Sequence, residues 1–406
     1  MSDGFMGHVS GSREYRRLLV ALFFAGIATF AQLYSPQPVL PLISETLDVS
    51  PATASLAVSA STLGLAAAVI PWSLIADRIG RVPAMAIGLV AATILGILAP
   101  FSPDGTVLLG VRLLEGVALG AVPAIALAYL SEEVDARHVA AAAGSYIAGT
   151  TVGGLSGRVV SGFAAEVGDW RVGMWAASAL CVGAAVAFLV LIPRARGFHP
   201  GRFHAEGGAG IAGRIAVNLR TPMQLALYAQ GFLLMGAFVA VYNYLGFHLS
   251  APPFSLPASL VTLLFLAYLA GTVSSPWAGI LASRHGRLGV LIGGIGVMIS
   301  GAALMMVPAV WIVVAGLLLY TGGFFAAHAV ASGWAPAAAR RDTRAQASSL
   351  YYLGYYVGSS LFGWCLGFVF TGIGWLGFLT AVIGMCVVSA VLAILALRPT
   401  AAGDRR

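Results

Sequence analysis

Arg112 and Glu115 stand three positions apart inside one apolar run, Arg112-Leu-Leu-Glu115-Gly116. At that spacing both side chains lie on one face of a helix. Inside a bilayer such charges are costly unless paired or wet, so they mark function by default. Burial and a neighbouring cation push a carboxylate's proton affinity in opposite directions, so a movement of this pair could load or release a proton. Glu115 then reads as the proton acceptor and Arg112 as its modulator; the alternative is a permanently closed structural ion pair. Arg158 is the other charge within an apolar run. It reads as a binder for an anionic substrate group or a partner for Glu115, or else as a residue that snorkels outward or bonds carbonyls. His328 lies deep in a later run and reads as a proton carrier or as a neutral packed histidine.

The elements that must hold these residues follow from composition. Of 406 residues 59% are hydrophobic and 9% charged, and mean hydropathy is +0.91. Soluble proteins are about 25% charged, so lipid is the solvent for this chain. Only helices satisfy their own backbone in lipid from such sequences. At about 20 apolar residues per span, the length accommodates about twelve. The net charge of +7 does not point to nucleic acid, because the 22 basic residues, all arginine, are spread over many loops. Cys181, Cys365 and Cys386 sit in apolar runs with no CxxC or Cys/His pairing and read as small buried hydrophobes, with no metal site. There is no lysine for a Walker A loop, and HExxH and GxSxG are absent, which speaks against an enzyme, a primary pump or a bound cofactor.

Apolar runs predict spans at Leu18–Ser35, Ala54–Ala76, Ala84–Phe101, Val107–Leu130, Ala140–Ala165 and Trp170–Ile192. A second set covers Leu225–Leu249, Leu260–Ala282, Gly289–Val307, Val310–Trp334, Ala347–Phe370 and Gly374–Leu397. The fold class is therefore an all-α integral membrane protein of two pseudo-symmetric six-helix bundles. The expected domains are an N-terminal segment 1–17, a bundle 18–193, a linker 194–221, a bundle 222–397 and a C-terminal segment 398–406. Arg13, Arg16 and Arg17 precede the first run as a signal peptide's n-region would, but no cleavage site follows, so that run reads as an uncleaved span. With a cytoplasmic N-terminus, nearly all arginines fall on inner segments, including Arg194, Arg196, Arg202, Arg214 and Arg220 of the linker and Arg398, Arg405 and Arg406. That asymmetry predicts both termini in the cytoplasm, in a bacterial inner membrane.

The halves echo each other. Asp77-Arg78-Ile-Gly80-Arg81 after the second span is matched by Ser283-Arg284-His-Gly286-Arg287 after the eighth, 206 residues later. Such repetition marks transporters that rock two bundles about a central site. The fifth span carries Ser145, Gly149, Gly153, Gly157 and Ser161 at four-residue intervals, with Gly154 beside them, a stripe for close helix packing. Gln32, Tyr34, Gln230, Tyr242, Asn243, Tyr268, Tyr320, Tyr351 and Tyr355 read as cavity-lining residues suited to an aromatic or cationic substrate. Some of these tyrosines read equally well as membrane anchors.

On these motifs the whole chain resembles the major facilitator superfamily. Ala76-Asp-Arg-Ile-Gly-Arg81 and its weaker copy resemble that family's loop motif, and Arg112-Leu-Leu-Glu-Gly116 its intramembrane arginine motif. Gly149-Thr-Thr-Val-Gly-Gly154 is similar to the antiporter motif GPxxGG, with Thr150 in place of the proline and Ser145 in place of the earlier glycine. In the loop motif Ser73 replaces the leading glycine and Val82 the second basic residue. The drug:proton antiporter (12-helix) family, YnfM-type subgroup, is the most similar group, through Gly154-Leu-Ser-Gly-Arg158, Gly231–Phe238, Tyr242-Asn-Tyr-Leu-Gly246 and Pro36–Pro41. The resemblance implies a gate of Asp77, Arg78, Gly80, Arg81, Arg284, Gly286 and Arg287 bonding across the halves, and the eighth span packed on the fifth. It implies a monomeric, proton-coupled, alternating-access exporter of small amphipathic or drug-like molecules, whose partners are its substrate, protons and the bilayer. Proton-coupled uptake of a sugar or organic acid, and a non-transporting membrane sensor, are the alternatives.

Overall fold

Lipid leaves each helix to satisfy its own amides, so helix ends are where side chains must act. The structure, a computed structural model, describes residues 7–197 and 211–397. Linker residues 198–210, with Arg202, and the segment 398–406, with Arg398, Arg405 and Arg406, lie outside the described residues. The first bundle contains α1 Arg13–Tyr34, α2 Pro51–Ile79, α3 Arg81–Leu98, α4 Gly105–Glu133, α5 Val139–Ala165 and α6 Trp170–Leu191. The second contains α7 Pro222–Ser250, α8 Ala258–His285, α9 Arg287–Leu304, α10 Val310–Ala338, α11 (344–373) and α12 (375–396). Starts are set by capping: Ser12, Ser50, Asp104 and Asp169 each accept the backbone N–H of a residue two or three positions on. Pro51 and Pro222 open α2 and α7, where a missing N–H costs nothing.

Ten segments among the described residues are long and apolar enough to cross a membrane. Two features reconcile ten with twelve. Gly and Ser/Thr residues dilute the hydropathy of α5, and α11 and α12 form one 53-residue helical run broken only at Gly374, whose φ is +70°. Leu395, Ile373, Trp277 and Trp311 are among the large apolar side chains left exposed, the surface of a chain solvated by lipid. Where the sequence predicts a plain linker, a short helix, Ile211–Leu219, lies just before α7. Asn218 on it donates to the Thr343 carbonyl at 3.2 Å.

Contacts divide the chain into two compact units: Met1–Glu206 with Pro257–Leu263, and Gly207–Leu256 with Leu264–Arg406. The first turn of α8 thus belongs to unit 1. Its Ser259 N–H donates to Glu166 at 2.7 Å and its Thr262 side chain lies against Gly162. A 3-10 stretch, Leu264–Tyr268, separates that turn from the rest of α8.

The small-residue stripe on α5 is met by α1, whereas the resemblance implies α8 as its partner. A side chain at Gly149, Gly153 or Gly157 would strike the backbone of Phe23, Ile27 or Ala31, and Ser145 donates to the Leu19 carbonyl at 3.0 Å. Both rows advance by four residues, so the two helices mesh backbone to backbone over three turns. Unit 2 repeats the contact between α11 and α7: Gly358 rests on the Phe232 backbone. Gly358 follows Gly149 by 209 residues, and Phe232 follows Phe23 by the same 209. The loop motifs match as well, since Gly80 (φ +98°) and Gly286 (φ +85°) end α2 and α8 in a backbone region that favours glycine.

Because the stripe meets backbone that no rotamer change can clear, Gly153→Leu is expected to force α1 from α5. A loss of about 1–3 kcal/mol, as for other overpacked cores, should appear as a lower melting midpoint in detergent. The same substitution at Gly144, which faces open space, should leave the midpoint unchanged.

Candidate functional site

The charged pair of α4 lies fully buried in unit 1. Arg112 and Glu115 each have 0% exposed side chains, and Arg112 Nη1 donates to Glu115 Oε2 at 2.5 Å. The remaining guanidinium donors bond backbone: Nε to the Ala57 carbonyl of α2 at 2.8 Å, Nη2 to the Leu33 carbonyl at 2.8 Å and Nη1 to that of Gln32 at 3.3 Å. Gln32 and Leu33 lie in the last turn of α1, where carbonyls lack intrahelical donors and the helix dipole favours a cation. Arg112 therefore joins three helices. Close approach of α2 to α4 is secured by Gly116, which rests on the Ser61 backbone, and by Ser61 donating to the Arg112 carbonyl at 2.8 Å.

Glu115 is less completely satisfied. Its Oε1 is buried and has only the Gln32 side-chain amide near it as a donor, with no close hydrogen bond to it, and Gln32 Oε1 is likewise buried without a partner. Gln32 Nε2 donates to Ser178 Oγ of α6 at 3.3 Å. A buried carboxylate oxygen so weakly satisfied is a position where a proton can complete the bonding.

Arg158 makes bonds of its own with other groups. Only 1% exposed, it donates to Gln37 Oε1 and to the Gly154 carbonyl, both at 2.6 Å, and lies 4.1 Å from the centre of the Tyr34 ring. Glu115 takes Arg112 as its ion-pair partner.

At the arginine-rich end of unit 1, Arg81 is 4% exposed and bonds Asp77 at 2.7 Å and Glu132 at 2.8 Å. Both acids belong to its own unit. Glu132 lies in the last turn of α4 and is absent from the sequence-derived site; its signal was the acidic pair Glu132-Glu133 at the end of an apolar run. Glu133 accepts the backbone N–H groups of Arg196 and Gly197 at 2.7 and 2.6 Å, mooring the start of the linker. In the following loop the Arg137 guanidinium holds the Asp135 carboxyl down to about 2, so that loop stays ionised at any working pH. Arg78, Arg284 and Arg287 are exposed, with Arg287 6.0 Å from the Trp334 ring. Ser283, which stands where unit 1 has Asp77, bonds only its own helix at the Ile280 carbonyl.

Unit 2 assembles the aromatic candidates and separates them from the amides. Tyr320, Phe324 and His328 recur every fourth residue on α10. Phe238 of α7 stacks on Phe324 at 3.9 Å and lies nearly parallel to Tyr320. Tyr242 and Tyr268 pack on Phe238, and Tyr242 shares a 2.7 Å hydrogen bond with Thr321. Tyr351 shares one of 2.9 Å with His328 Nδ1, and Tyr355 lies 5.0 Å from the imidazole. Phe238, Phe324 and Phe325 escape a sequence search for polar candidates. Gln230 instead braces α7 to α12 through Ser389, and Asn243 points to the Gly363 carbonyl of α11 at 3.4 Å. Among the described residues no cluster of His, Cys, Asp or Glu could hold a metal.

The Arg81 cluster makes a graded prediction. Glu132 is the more buried acid and takes two guanidinium nitrogens, whereas Asp77 is 29% exposed. Glu132→Gln should therefore lower the melting midpoint more than Asp77→Asn, the former by about 1–3 kcal/mol. No effect of Glu132→Gln beside a clear effect of Asp77→Asn would assign Arg81 to Asp77 alone.

Comparison with known proteins accords with this geometry. Residues 22–267 match the family model described as Major Facilitator Superfamily. The chain is 38% identical to the inner membrane transport protein YnfM of Escherichia coli (strain K12) over 94% of its own length and 90% of that protein's. It is 35% identical to the MFS-type transporter YybF of Bacillus subtilis (strain 168), over 98% and 97%. The fold superposes with a TM-score of 0.78, at 15% identity, on a bacterial homologue of the human lysosomal transporter Spinster, over 96% and 98% of the two chains. With two pseudo-symmetric helical bundles, a buried charge pair and relatives matched along nearly its whole length, this chain belongs to the major facilitator superfamily.

Proposed function

We propose that this membrane transporter couples inward proton movement to export of small amphipathic molecules by alternating access. The observation that carries the reading is Glu115. It is the one acid within the apolar length of a span, and one of its buried oxygens makes no close hydrogen bond, with only the Gln32 amide near it as a donor. In the ionised state Glu115 attracts Arg112 on its own helix and helps orient the guanidinium that bonds the carbonyls at the end of α1. A proton on Oε1 removes that attraction, while Arg112 keeps its three carbonyls. Proton loading would thus loosen one bond of a four-bond junction. The Arg81 cluster, with both termini on the cytoplasmic side of an inner membrane, would stabilise one of the alternating states through Asp77 and Glu132.

Export is favoured over sugar or organic-acid uptake by the aromatic character of unit 2, where Phe238, Phe324 and Phe325 pack among the tyrosines. Likeness to YnfM, named as an inner membrane transport protein, supports the setting.

Proteoliposomes with an imposed pH gradient, screened against mixed amphipathic compounds, test the reading. Acid-driven counterflow of a compound is expected. Glu115→Gln should reduce it at least about tenfold, while leaving pH-independent exchange of the same compound in place. Gradient-driven transport at full rate by Glu115→Gln would remove Glu115 from the coupling. Compound and proton moving in the same direction would favour symport.

A further inference from the structure

The four-residue recurrence of Tyr320, Phe324 and His328 builds a column of rings down one side of α10. Phe238 lies within 12° of parallel to both Tyr320 and Phe324, and His328 within 10° of Phe324. The column has a closed end and an open one. Tyr320, Phe238 and Phe324 are at most 1% exposed, His328 and Tyr355 are half-buried, and Tyr352 is 42% exposed. At the open end the imidazole is held by one hydrogen bond, Nδ1 to the buried Tyr351 hydroxyl. Nε2 is the ring nitrogen outside that bond, and the imidazole lies among the Phe324, Tyr352 and Tyr355 rings. Within the spans of unit 2 there is no Asp or Glu, since Asp342 lies in the exposed loop between α10 and α11.

We infer that the His328 end of this column is a binding subsite for an uncharged, planar aromatic molecule that carries a hydrogen-bonding edge. Such a ring extends an existing parallel stack at little conformational cost, because the rings it meets are already ordered. Its polar edge meets Nε2. Tyr351 fixes the side of the imidazole that faces inward, so one ring nitrogen is reserved for the ligand. Aromatic faces also attract cations. A cation here would, however, enter a low-dielectric site with no carboxylate in the spans of the unit to balance it, and that cost favours the neutral molecule. The subsite rests on the transport reading for its purpose, though its occupancy does not depend on coupling.

The test uses the full chain in lipid nanodiscs, with acridone as the neutral planar probe and N-methylacridinium as its cationic counterpart, each followed by its own fluorescence. Acridone is expected to bind at least tenfold tighter than N-methylacridinium. His328→Leu should weaken acridone about tenfold, the effect of losing one hydrogen bond and one stacking face, and leave N-methylacridinium little changed. Tyr355→Leu, at a half-buried ring away from the closed end, should weaken acridone with an unaltered melting midpoint, so that loss of binding is separable from loss of folding. Equal affinity of wild type and both variants for acridone would overturn the inference, and so would tighter binding of the cation. Glu115→Gln separates the two proposals. Acridone binding retained there, with proton-driven transport lost, supports both. Binding that persists with its His328 dependence while no compound is ever transported would sink the transport reading alone.

Discussion

One guanidinium joins three helices of unit 1. Arg112 reaches the end of α1, the second turn of α2 and a carboxylate on its own helix, and every bond is made where water cannot compete. Removing the arginine would strand a carboxylate and free three carbonyls at once, each a costly loss in a dry interior. Much of the local sequence serves this junction. Gly116 and Ser61 let α4 approach α2, and α1 ends at Tyr34 so that its last carbonyls face the cation. Of the four bonds only the one to Glu115 depends on protonation, so a chemical event can alter the junction without dissolving it.

The two halves share a backbone plan and divide the chemistry. Both pack their first and fifth helices through glycine, and both end their second helix on a glycine of positive φ. The fourth helix of each half then differs. In unit 1 it carries Arg112 and Glu115; in unit 2 it carries Tyr320, Phe324 and His328. Symmetry thus resides where side chains are absent, and difference resides where they are large.

Much of this was legible beforehand. Spans follow from hydropathy, because lipid admits few alternatives, and the i, i+3 spacing brought Arg112 and Glu115 together correctly. What escaped was pairing at a distance. Nothing local to Arg81 announces Glu132, fifty-one residues on, and nothing near Arg158 points to Gln37. The partner of the α5 stripe was also hidden, because small residues say that some helix comes close without saying which. In α1 the matching row is Leu19, Phe23, Ile27 and Ala31, ordinary apolar residues whose contribution is backbone. The aromatic column was only half visible: polar tyrosines attract notice as candidates, while Phe238 and Phe324, which connect them, look like core.

Gly374 joins α11 to α12 without a loop. Its φ of +70° and ψ of −172° lie in a region essentially closed to residues with a Cβ. Gly80 and Gly286 likewise stand alone between α2 and α3 and between α8 and α9, whereas longer connections such as that between α3 and α4 can absorb a mutation in neighbouring loop residues. At Gly374 the whole elbow is one residue, so the angle between two long helices is written in a single codon, and genetic drift at that codon has no neighbouring slack in which to hide.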